Sequence, residues 1–508
     1  MHPTRAARPL ATLLGAAGID SALPPSGDGL EVAAIESDSR AVTPGSLFVA
    51  ISGLRADGHQ FIDDAIRRGA VAVVAERVPA GSREARIPVI AVGNSRLALS
   101  QLAAAFYDHP SRSLCVVGIT GTDGKTTTAT LLWHAWRAAG IAAASVTTVD
   151  RRTGDDVTTN PSRQTTPEAP ELQRELARIR DAGCTHVALE TSSHALEMQR
   201  ADGVEFRAAV FTRITTEHLE LHGTRDRYLA AKARLLERVS TKPDGIAVLD
   251  AGDPFGFPQL AAIPVATRLT YTDQPGVPAD LRAEDIVAEP SAVRFTAQTP
   301  WGMVPIRLGI AGTFNVRNAL AALAAACATG ADLGSAVRGL EAAAAVTGRM
   351  ELVEMGQPFA VVVDYAHTAD ALETVLHELR GTTSGRLWVV FGSAGERDLE
   401  KRPAMGSVAA RLADISVITD EDPRGEDRTL ILEQIAQGAV AAGGERGRNV
   451  FVIPDRVDAI AYAIANAAPG DTVLAAGKGH EKTLETATGE VPWDERAVVI
   501  AALRRRIS

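Results

Sequence analysis

The sequence has few cysteines and few aromatic residues, and each shortage excludes a class of protein. Its 3 cysteines among 508 residues are Cys115, Cys184 and Cys327, which are far apart and lie in apolar runs. An odd, scattered set does not build a disulfide framework, so we expect free, buried thiols in a reducing cytoplasm. Only 4% of the residues are aromatic, which argues against a stacking platform for single-stranded nucleic acid.

The sequence also lacks an excess of positive charge and a long apolar run. Its 52 Lys and Arg against 62 Asp and Glu give a net charge of −10 at pH 7, which argues against a nucleic-acid partner. No run of about 18 apolar residues could span a membrane, and Asp20, Pro24 and Pro25 interrupt the N-terminal apolar stretch. We therefore expect neither a nucleic-acid partner nor a membrane partner, and no signal peptide.

The length and the hydrophobic content indicate several packed domains. A chain of 508 residues with 46% hydrophobic residues is too long for one ordinary domain. Alternating strand and helix patterns predict an α/β protein of three domains. They are a small N-terminal α/β domain at 1–110, a central P-loop ATPase-like domain with a mostly parallel sheet at 111–344, and a Rossmann-like doubly wound domain at 345–508.

The stretch 114–128, LCVVGITGTDGKTTT, predicts a phosphate-binding loop. Its apolar start is typical of a strand buried on both faces of a parallel sheet. Gly118, Gly121 and Gly124 permit a tight loop whose amides turn toward a phosphate, and a helix over 127–139 points its positive end at the anion. Lys125 adds a charge for the phosphate oxygens, and Thr126 stands where a hydroxyl would meet Mg²⁺. Because Ile119 takes the place of a glycine, the loop is a variant of the usual pattern.

Polar residues follow the next predicted strands of the central domain. A strand over 185–189 delivers Glu190, Ser193 and His194, a strand over 208–211 delivers Glu217 and His218, and the following helix carries Lys232. Ligands of open α/β sheets gather at the carboxyl ends of the strands. Since Mg²⁺ takes few protein ligands besides phosphate oxygens, these residues predict a magnesium site beside the loop. Farther on, Asn315 is predicted to cap a long Ala-rich helix over 316–327.

The C-terminal part repeats this arrangement with mixed charges. Apolar strands are predicted at 359–363, 387–391, 415–419 and 472–476. The polar segments after them are DYAH, GSAGER, DEDPR and GKGHE. Strand ends of one sheet converge on one crevice, and mixed charges suit a zwitterionic ligand.

These motifs together resemble the Mur ligase family, and within it the tripeptide-synthetase type. The matching segments are SDSRAVTPGSLFVAISGLRADGHQF, GITGTDGKTTT, ETSSHALEMQR, EHLELHG, GTFNVRNALAALA, VTGRMELV, VVVDYAHTADALE, FGSAGERDLEKRPAMG, EDPRGED and AGKGHE. The resemblance implies an amide ligase of peptidoglycan precursor synthesis that requires ATP and Mg²⁺ and acts as a cytoplasmic monomer. In this family ATP phosphorylates the D-Glu carboxylate of UDP-N-acetylmuramoyl-L-Ala-D-Glu, and the amine of a diamino acid then displaces phosphate.

The resemblance also implies roles on the ATP side. Lys125, Glu190, His218 and Lys232 match catalytic positions, and Lys232 matches a lysine that this family carbamylates to N6-carboxylysine. Thr126, Glu190 and His218 match metal ligands. The nucleotide positions are Gly121, Thr122, Gly124, Lys125, Thr126, Thr127, Asn315, Arg349, Asp364 and His367.

On the substrate side the resemblance implies two further sets. Ser39, Thr165, Thr166, Ser193 and Arg200 match contacts to the UDP-linked peptide. The positions that match the pocket for the incoming amino acid are Arg397, Glu421, Asp422, Arg424, Gly477 and Glu481.

Two departures from the family pattern bear on function. Asp123 replaces the usual Asn of the loop, and we expect its carboxylate to point away from the phosphates. The pocket motif reads EDPR where enzymes that use meso-diaminopimelate typically read DNPR. Arg424 could clamp a distal carboxylate, which slightly favours diaminopimelate, whereas Asp422 would favour the cationic end of L-lysine or L-ornithine.

Two alternative functions share the phosphate loop. Another ligase of the superfamily, such as folylpolyglutamate synthase, would lack the N-terminal DSR and GHQF segments and the GKGHE segment that this chain has. A non-catalytic nucleotide-binding switch would keep Lys125 and Thr126 but would have no use for Glu190, His218 and Lys232. Phosphate release that requires both a muramyl dipeptide and a diamino acid separates the ligase from the switch.

Overall fold

Three multi-stranded sheets organise the chain. The computed structural model describes residues 6–20, 29–53, 56–77, 87–160, 162, 164–215, 217–396 and 399–507. In these ranges the sheets have 4, 11 and 6 strands, and two further sheets are two-stranded. Within the same ranges, every helix is too short or too polar to cross a bilayer. The α/β class expected from the sequence is confirmed.

The N-terminal sheet has 4 parallel strands in sequence order, β3-β4-β5-β6. Its core is apolar and is closed by α3, whose side-chain cap is Asn94. A 3₁₀ turn that ends at Phe61 leads directly into α2, which begins at Ile62. The strands of this region are β1 (Arg8–Pro9), β2 (Glu31–Val32), β3 (Ala34–Glu36), β4 (Ser46–Val49), β5 (Ala72–Ala75) and β6 (Val89–Ala91), and the helices are α1 (Leu10–Ala16), α2 (Ile62–Arg67) and α3 (Ser95–Phe106).

The central region forms the 11-stranded sheet, in the order β10-β9-β8-β11-β7-β12-β13-β14-β15-β16-β17. The strands from β8 to β15 in this order are parallel, and antiparallel strands extend both edges. The strands are β7 (Cys115–Thr120), β8 (Ala143–Val146), β9 (Asp150–Thr153), β10 (Asp156–Thr159), β11 (His186–Glu190), β12 (Ala208–Phe211), β13 (Ile246–Asp250), β14 (Thr267–Thr272), β15 (Leu281–Glu289), β16 (Ala292–Thr299) and β17 (Gly302–Leu308). The helices are α4 (Lys125–Ala138), α5 (Ala169–Asp181), α6 (Ser193–Glu197), α7 (Leu219–His222), α8 (Arg225–Ser240), α9 (Gly256–Ala261), α10 (Phe314–Ala328) and α11 (Leu333–Glu341).

Three predictions for the central region need correction. Gly118 lies inside β7 and not in the loop, where a Cβ would stand 2.7 Å from Leu235 Cδ1 of α8. This glycine therefore lets α8 pack closely against the strand that leads to the loop. Asn315 does not cap α10, because that helix begins at Phe314 and the capping position is Thr313. The three cysteines are free as expected, but only Cys184 is fully buried.

The C-terminal region is a doubly wound sheet, as predicted. Its order is β18-β19-β23-β20-β21-β22, parallel apart from β18, with an apolar core on each face. A hairpin, β24–β25, follows the sheet and was not predicted. The strands are β18 (Glu351–Leu352), β19 (Ala360–Asp364), β20 (Leu387–Phe391), β21 (Ile415–Ile418), β22 (Val450–Val452), β23 (Thr472–Ala476), β24 (Thr483–Thr486) and β25 (Gly489–Pro492), and the helices are α12 (Ala369–Thr382), α13 (Lys401–Leu412), α14 (Arg428–Ala441), α15 (Arg456–Asn466) and α16 (Glu495–Ile507).

A buried ion pair connects the ends of two strands of this sheet. Arg456 Nη2 lies 2.5 Å from Glu495 Oε1, and both side chains are almost fully enclosed. The same guanidinium donates to the carbonyl oxygens of Asp420 and Ala476, just after β21 and at the end of β23. The pair therefore fixes the strand ends that carry the polar segments of the C-terminal region.

Replacing Glu495 by leucine should strongly destabilise this region. The variant leaves the Arg456 guanidinium buried without its counter-charge, which typically costs about 3–5 kcal/mol of unfolding free energy. Urea denaturation of the purified chain would measure the change. Arg496→Ala is the matched control, because it removes a surface pair with Glu351 in which the arginine side chain is 53% exposed. Such a pair should contribute about 0–1 kcal/mol. Equal effects of the two substitutions would contradict the structural role of the buried pair.

Candidate active site

The candidate active site lies where strand ends of the central and C-terminal sheets face each other. His367, which follows β19, has its Nε2 3.8 Å from Oε1 of Glu217, which follows β12. The carboxyl ends of parallel strands are where open α/β sheets bind ligands. The two polar edges predicted separately from the sequence therefore share one cleft.

The glycines of the phosphate loop lie so close to neighbouring residues that any side chain at these positions would clash. Gly121 has φ 150° and Gly124 has φ 83°. A Cβ at Gly121 would lie 1.8 Å from Thr212 Oγ1, and a Cβ at Gly124 would lie 2.2 Å from Asn318 Oδ1. Only glycine is compatible with this backbone and these neighbours. The loop thus has the close-packed form needed to bring amides to a phosphate.

Lys125 and Thr126 begin α4 directly after this loop. Lys125 Nζ donates to the carbonyl oxygens of Gly121 at 3.1 Å and Thr122 at 2.6 Å. Thr126 Oγ1 donates to Oε2 of Glu190 at 2.9 Å, and the same oxygen accepts the Thr148 backbone N–H at 2.8 Å. The loop lysine and the predicted Thr126–Glu190 pair therefore lie side by side at the helix N-terminus.

Lys232 projects from α8 to the same loop. Its side chain is buried, and its Nζ donates to the Gly121 carbonyl oxygen at 2.6 Å while lying 4.4 Å from the centre of the Tyr228 ring. Burial, reinforced by the positive charge of Lys125, sets the pKa of this amine well below its ordinary value. A deprotonated lysine amine is nucleophilic, whereas a protonated one acts only as a charge.

Glu217 is a negative centre shared by both sheets. Burial raises the pKa of its carboxyl, but His218, Lys125, His367 and Lys232 outweigh burial and bring the pKa to about 2. His218 Nε2 is 3.6 Å from Glu217 Oε2, and the His218 and His194 rings are 4.4 Å apart. Glu217 is therefore ionised near neutral pH. The sequence analysis placed Glu217 near the predicted magnesium site but assigned it no role there.

The residues predicted for the nucleotide are held by local contacts on the two sides of the cleft. Asn315 donates to the Ala311 carbonyl and accepts from Asn318, which in turn borders Gly124. The Arg349 guanidinium stacks 4.6 Å from the centre of the Tyr365 ring. Burial raises the pKa of Asp364, although its carboxyl accepts two backbone N–H groups at 2.7 Å. Burial likewise lowers the pKa of His367 to about 4, so this ring is neutral near pH 7.

The residues predicted for the UDP-linked peptide gather beside Glu190, with one exception. Thr166 Oγ1 donates to the Glu190 carbonyl oxygen at 2.9 Å, and Thr165 accepts from Thr148. Ser193 Oγ lies 3.2 Å from His222 Nε2, and Arg200 pairs with Glu168 at 2.8 Å. Ser39 belongs instead to a 3₁₀ turn of the N-terminal region.

The residues predicted for the incoming amino acid form a charged cluster at the ends of β21 and β23. Lys478 is fully enclosed and its Nζ donates to Asp422 Oδ1 at 2.9 Å and also to Glu481. Burial raises the pKa of both carboxyls, against the effect of Lys478. Gly477 packs against Glu421, whose Oε2 a Cβ would approach to 3.2 Å. Arg397, predicted for this pocket, lies outside the described residues.

Asp123 lies between Thr122 and Gly124 of the phosphate loop, and its side chain is exposed. Its orientation away from the phosphates stays a prediction.

Besides Glu217, the residues of the site that the sequence analysis missed include Tyr228 and Asn318. Tyr228 lies four residues before Lys232 on α8, and its hydroxyl is 3.1 Å from Thr122 Oγ1. This spacing puts both side chains on one helix face, a signal that was available. Asn318 lies three residues after Asn315 on α10 and could have been found in the same way.

The donor set fits a magnesium ion better than a metal that requires several side-chain ligands. Thr126 and Glu190 offer a hydroxyl and a carboxylate beside the phosphate loop, and Mg²⁺ accepts oxygen ligands with phosphates and water completing its shell. In the described ranges no group of three or more His, Cys, Asp or Glu side chains could hold a metal ion. The ligand role of His218 stays a prediction.

Three family models match the chain in succession. The model described as "Mur ligase family, catalytic domain" matches residues 31–107, "Mur ligase middle domain" matches 119–326, and "Mur ligase, glutamate ligase domain" matches 348–479. The second match contains the phosphate loop, Glu190 and Lys232, and the third contains Asp422 and Arg424.

Individual proteins resemble the chain over almost its full length. A UDP-N-acetylmuramyl-tripeptide synthetase of Roseiflexus sp. is 48% identical over 93% of this chain and 94% of its own. A UDP-N-acetylmuramoyl-L-alanyl-D-glutamate–2,6-diaminopimelate ligase of Streptomyces coelicolor is 41% identical over 99% of this chain and 98% of its own. A solved structure of a ligase with the same name is 30% identical, covers 94% of this chain and 96% of its own, and has a TM-score of 0.65.

Proposed function

This chain belongs to the Mur ligase family, and we propose that it is an ATP-dependent tripeptide synthetase of peptidoglycan precursor synthesis. It joins an amine of a diamino acid to the D-Glu carboxylate of UDP-N-acetylmuramoyl-L-Ala-D-Glu. The observation that carries this proposal is the convergence of Lys125, Glu190 and Lys232 on the phosphate loop, opposite a charged pocket suited to a zwitterion. The named relatives supply the substrate class.

The reaction needs an activated carboxyl group, because a carboxylate is a poor electrophile at neutral pH. Transfer of the terminal phosphoryl group of ATP to the D-Glu carboxylate gives an acyl phosphate and ADP. The diamino acid's amine then forms the amide bond, and phosphate and a proton leave. Charge that develops on the transferred phosphoryl group must be neutralised during the first step.

The residues of the phosphate loop provide that neutralisation. The Lys125 ammonium donates to two loop carbonyl oxygens, from which it would reach the oxygens of a phosphate bound in the loop. Thr126 and Glu190 would hold Mg²⁺, which supplies further positive charge when bound. Glu217 places a negative charge 3.6 Å from His218 Nε2 and 3.8 Å from His367 Nε2, between the two sides of the cleft.

Lys232 supports the reaction as a carbamate. Its buried amine has a lowered pKa, and an uncharged amine adds to CO₂ to form a carbamate with loss of a proton. The product is an anion at a position where a lysine would otherwise place a second cation beside Lys125. An anion there would suit the Mg²⁺ site.

The remaining assignments extend this proposal. The predicted boundaries at 110 and 344 fall between the three sheets, so we assign UDP-substrate binding to 1–110, ATP binding to 111–344 and amino-acid binding to 345–508. A cytoplasmic location, a monomeric state, and roles in cell shape and cell division follow from the family resemblance and stay predictions.

A coupled assay tests the proposed function. ADP release should require ATP, UDP-N-acetylmuramoyl-L-Ala-D-Glu and a diamino acid together, and mass spectrometry should show the lengthened nucleotide-linked peptide. Omitting either the dipeptide substrate or the diamino acid should reduce ADP release to background. ATP consumption that is indifferent to both would support the nucleotide-binding switch instead.

A further inference from the structure

The amino-acid pocket contains an acidic residue that the family resemblance did not indicate. Glu485 lies in β24 of the hairpin, and its Oε2 accepts from Arg424 Nε at 2.6 Å. Arg424 is the residue that would clamp the distal carboxylate of diaminopimelate. In the structure, the Arg424 guanidinium therefore already pairs with a carboxylate of the protein.

The backbone fixes Glu485 in this place. Its N–H donates to Asp422 Oδ1 at 2.7 Å, and its carbonyl oxygen accepts the Arg424 backbone N–H at 3.1 Å. These two hydrogen bonds attach the hairpin to the EDPR segment. They fix the backbone of Glu485 beside Arg424, so the positions of both ion-pair partners are set by the fold. Both side chains are also largely enclosed, with exposed fractions of 19% for Arg424 and 23% for Glu485.

An incoming carboxylate would have to displace existing partners of Arg424. Bidentate recognition of a carboxylate uses two N–H groups on one edge of the guanidinium. Nε is engaged by Glu485, and Nη1 donates to the Gly395 carbonyl oxygen at 3.2 Å. The second cation of the pocket, Lys478, is likewise held by Asp422 and Glu481.

The same pocket presents an acceptor that lacks a donor. Glu421 is only 5% exposed, and its Oε2 has no hydrogen-bond partner among the described residues. Burial raises the pKa of this carboxyl, but Lys401, His367 and Lys478 outweigh burial and lower it, so the group is an anion. A buried carboxylate oxygen without a donor is costly unless a ligand satisfies it. An ammonium group is a suitable ligand for such an oxygen.

We propose that Glu485 determines the amino-acid specificity of this ligase, by occupying Arg424 so that the pocket selects a diamino acid whose side chain ends in a bare ammonium group. L-Lysine and L-ornithine have this chemistry, whereas diaminopimelate adds a carboxylate at the same carbon. This inference rests on the proposed function and narrows its substrate. The slight sequence preference for diaminopimelate assumed an Arg424 open to the substrate.

Steady-state kinetics with three amino acids test the inference. Purified full-length chain, ATP, Mg²⁺ and the UDP-linked dipeptide are supplied with L-lysine, L-ornithine or meso-diaminopimelate, and kcat/KM is taken from ADP release and product mass. The native chain should favour L-lysine or L-ornithine over diaminopimelate by about tenfold or more. Glu485→Ala should raise the relative kcat/KM for diaminopimelate by about tenfold, because it frees Arg424.

The hairpin offers a matched control. Glu490 stands directly opposite Glu485 in the hairpin register and is exposed, so Glu490→Ala removes a carboxylate from the same hairpin without opening Arg424. It should leave the ratio unchanged. Should Glu485→Ala fail to fold, Glu485→Gln keeps an acceptor for Arg424 but removes the charge, and it should move the ratio in the same direction by a smaller factor.

The outcomes separate this inference from the proposed function. A native chain that prefers diaminopimelate, or Glu485 variants that shift the ratio no more than Glu490→Ala, would overturn the specificity role and leave the ligase intact. Failure of all three amino acids to support dipeptide-dependent ADP release would instead reject the proposed function.

Discussion

Replacing Lys232 by alanine should reduce kcat by roughly 10²–10³-fold, the loss expected when a preorganised charge is removed from a phosphoryl-transfer site. Lys232 touches the loop directly through the Gly121 carbonyl, and its carbamate would supply the anion beside the metal site. Initial rates of ADP release at saturating substrates measure the effect. Short-chain carboxylates such as acetate should restore part of the lost activity, since they can occupy the space left by the carbamate.

Rescue distinguishes the carbamate from a structural lysine. Arg227→Ala is the matched control, because it removes an exposed cation from the same helix, α8, and should retain native activity with no response to acetate. A Lys232→Ala variant with native activity would exclude the role. A folded but inactive variant that no carboxylate rescues would show that the lysine acts through packing or as an amine.

Replacing Lys125 by methionine should lower kcat by roughly 10²–10⁴-fold while the fold is retained. The ammonium contacts only main-chain carbonyls among its recorded hydrogen bonds, those of Gly121 and Thr122. Its removal breaks no hydrogen bond or ion pair to a carboxylate among the described residues, and Glu217 keeps the charges of His218 and His367. The unfolding temperature should therefore stay close to the native value. ADP release and thermal unfolding, measured on one preparation, separate the two effects.

The other end of the same helix provides the comparison for Lys125. Arg137→Ala also removes a cation from α4, but Arg137 pairs with Asp155 on the far side from the loop. Its activity should stay within about twofold of native, as expected for a change away from the site. Near-native turnover by Lys125→Met would mean that the loop binds phosphate without this charge, and the proposed mechanism would fail.

The sequence was sufficient for the fold class and for the centre of the site. A buried strand, a glycine-spaced loop and Lys125 at a helix start are local features, so their pattern predicts their structure directly. The pairing of Thr126 with Glu190 was also accessible, because parallel strand ends meet at one edge. The roles assigned to individual residues still depend on the resemblance and on the experiments proposed above.

Features that lack a local sequence pattern, or that depend on distant parts of the chain, could not be predicted from the sequence. The hairpin that carries Glu485 shows no alternation of buried and exposed residues, since β24 is half-buried throughout and β25 is exposed throughout. Without that alternation the sequence gives no strand signal. The approach of His367 to Glu217 was not accessible for a different reason, because only the folded cleft brings the strand ends of the central and C-terminal sheets together.

The hairpin stands outside the six-stranded sheet that it serves. Its residues can therefore be exchanged without repacking the apolar layers or disturbing the phosphate loop of the central sheet. The selection of the diamino acid and the ATP-dependent formation of the amide bond thus depend on separate parts of the chain. A substitution in this short hairpin could therefore change which diamino acid enters the peptidoglycan precursor, while the ATP-dependent site of the central region stays the same.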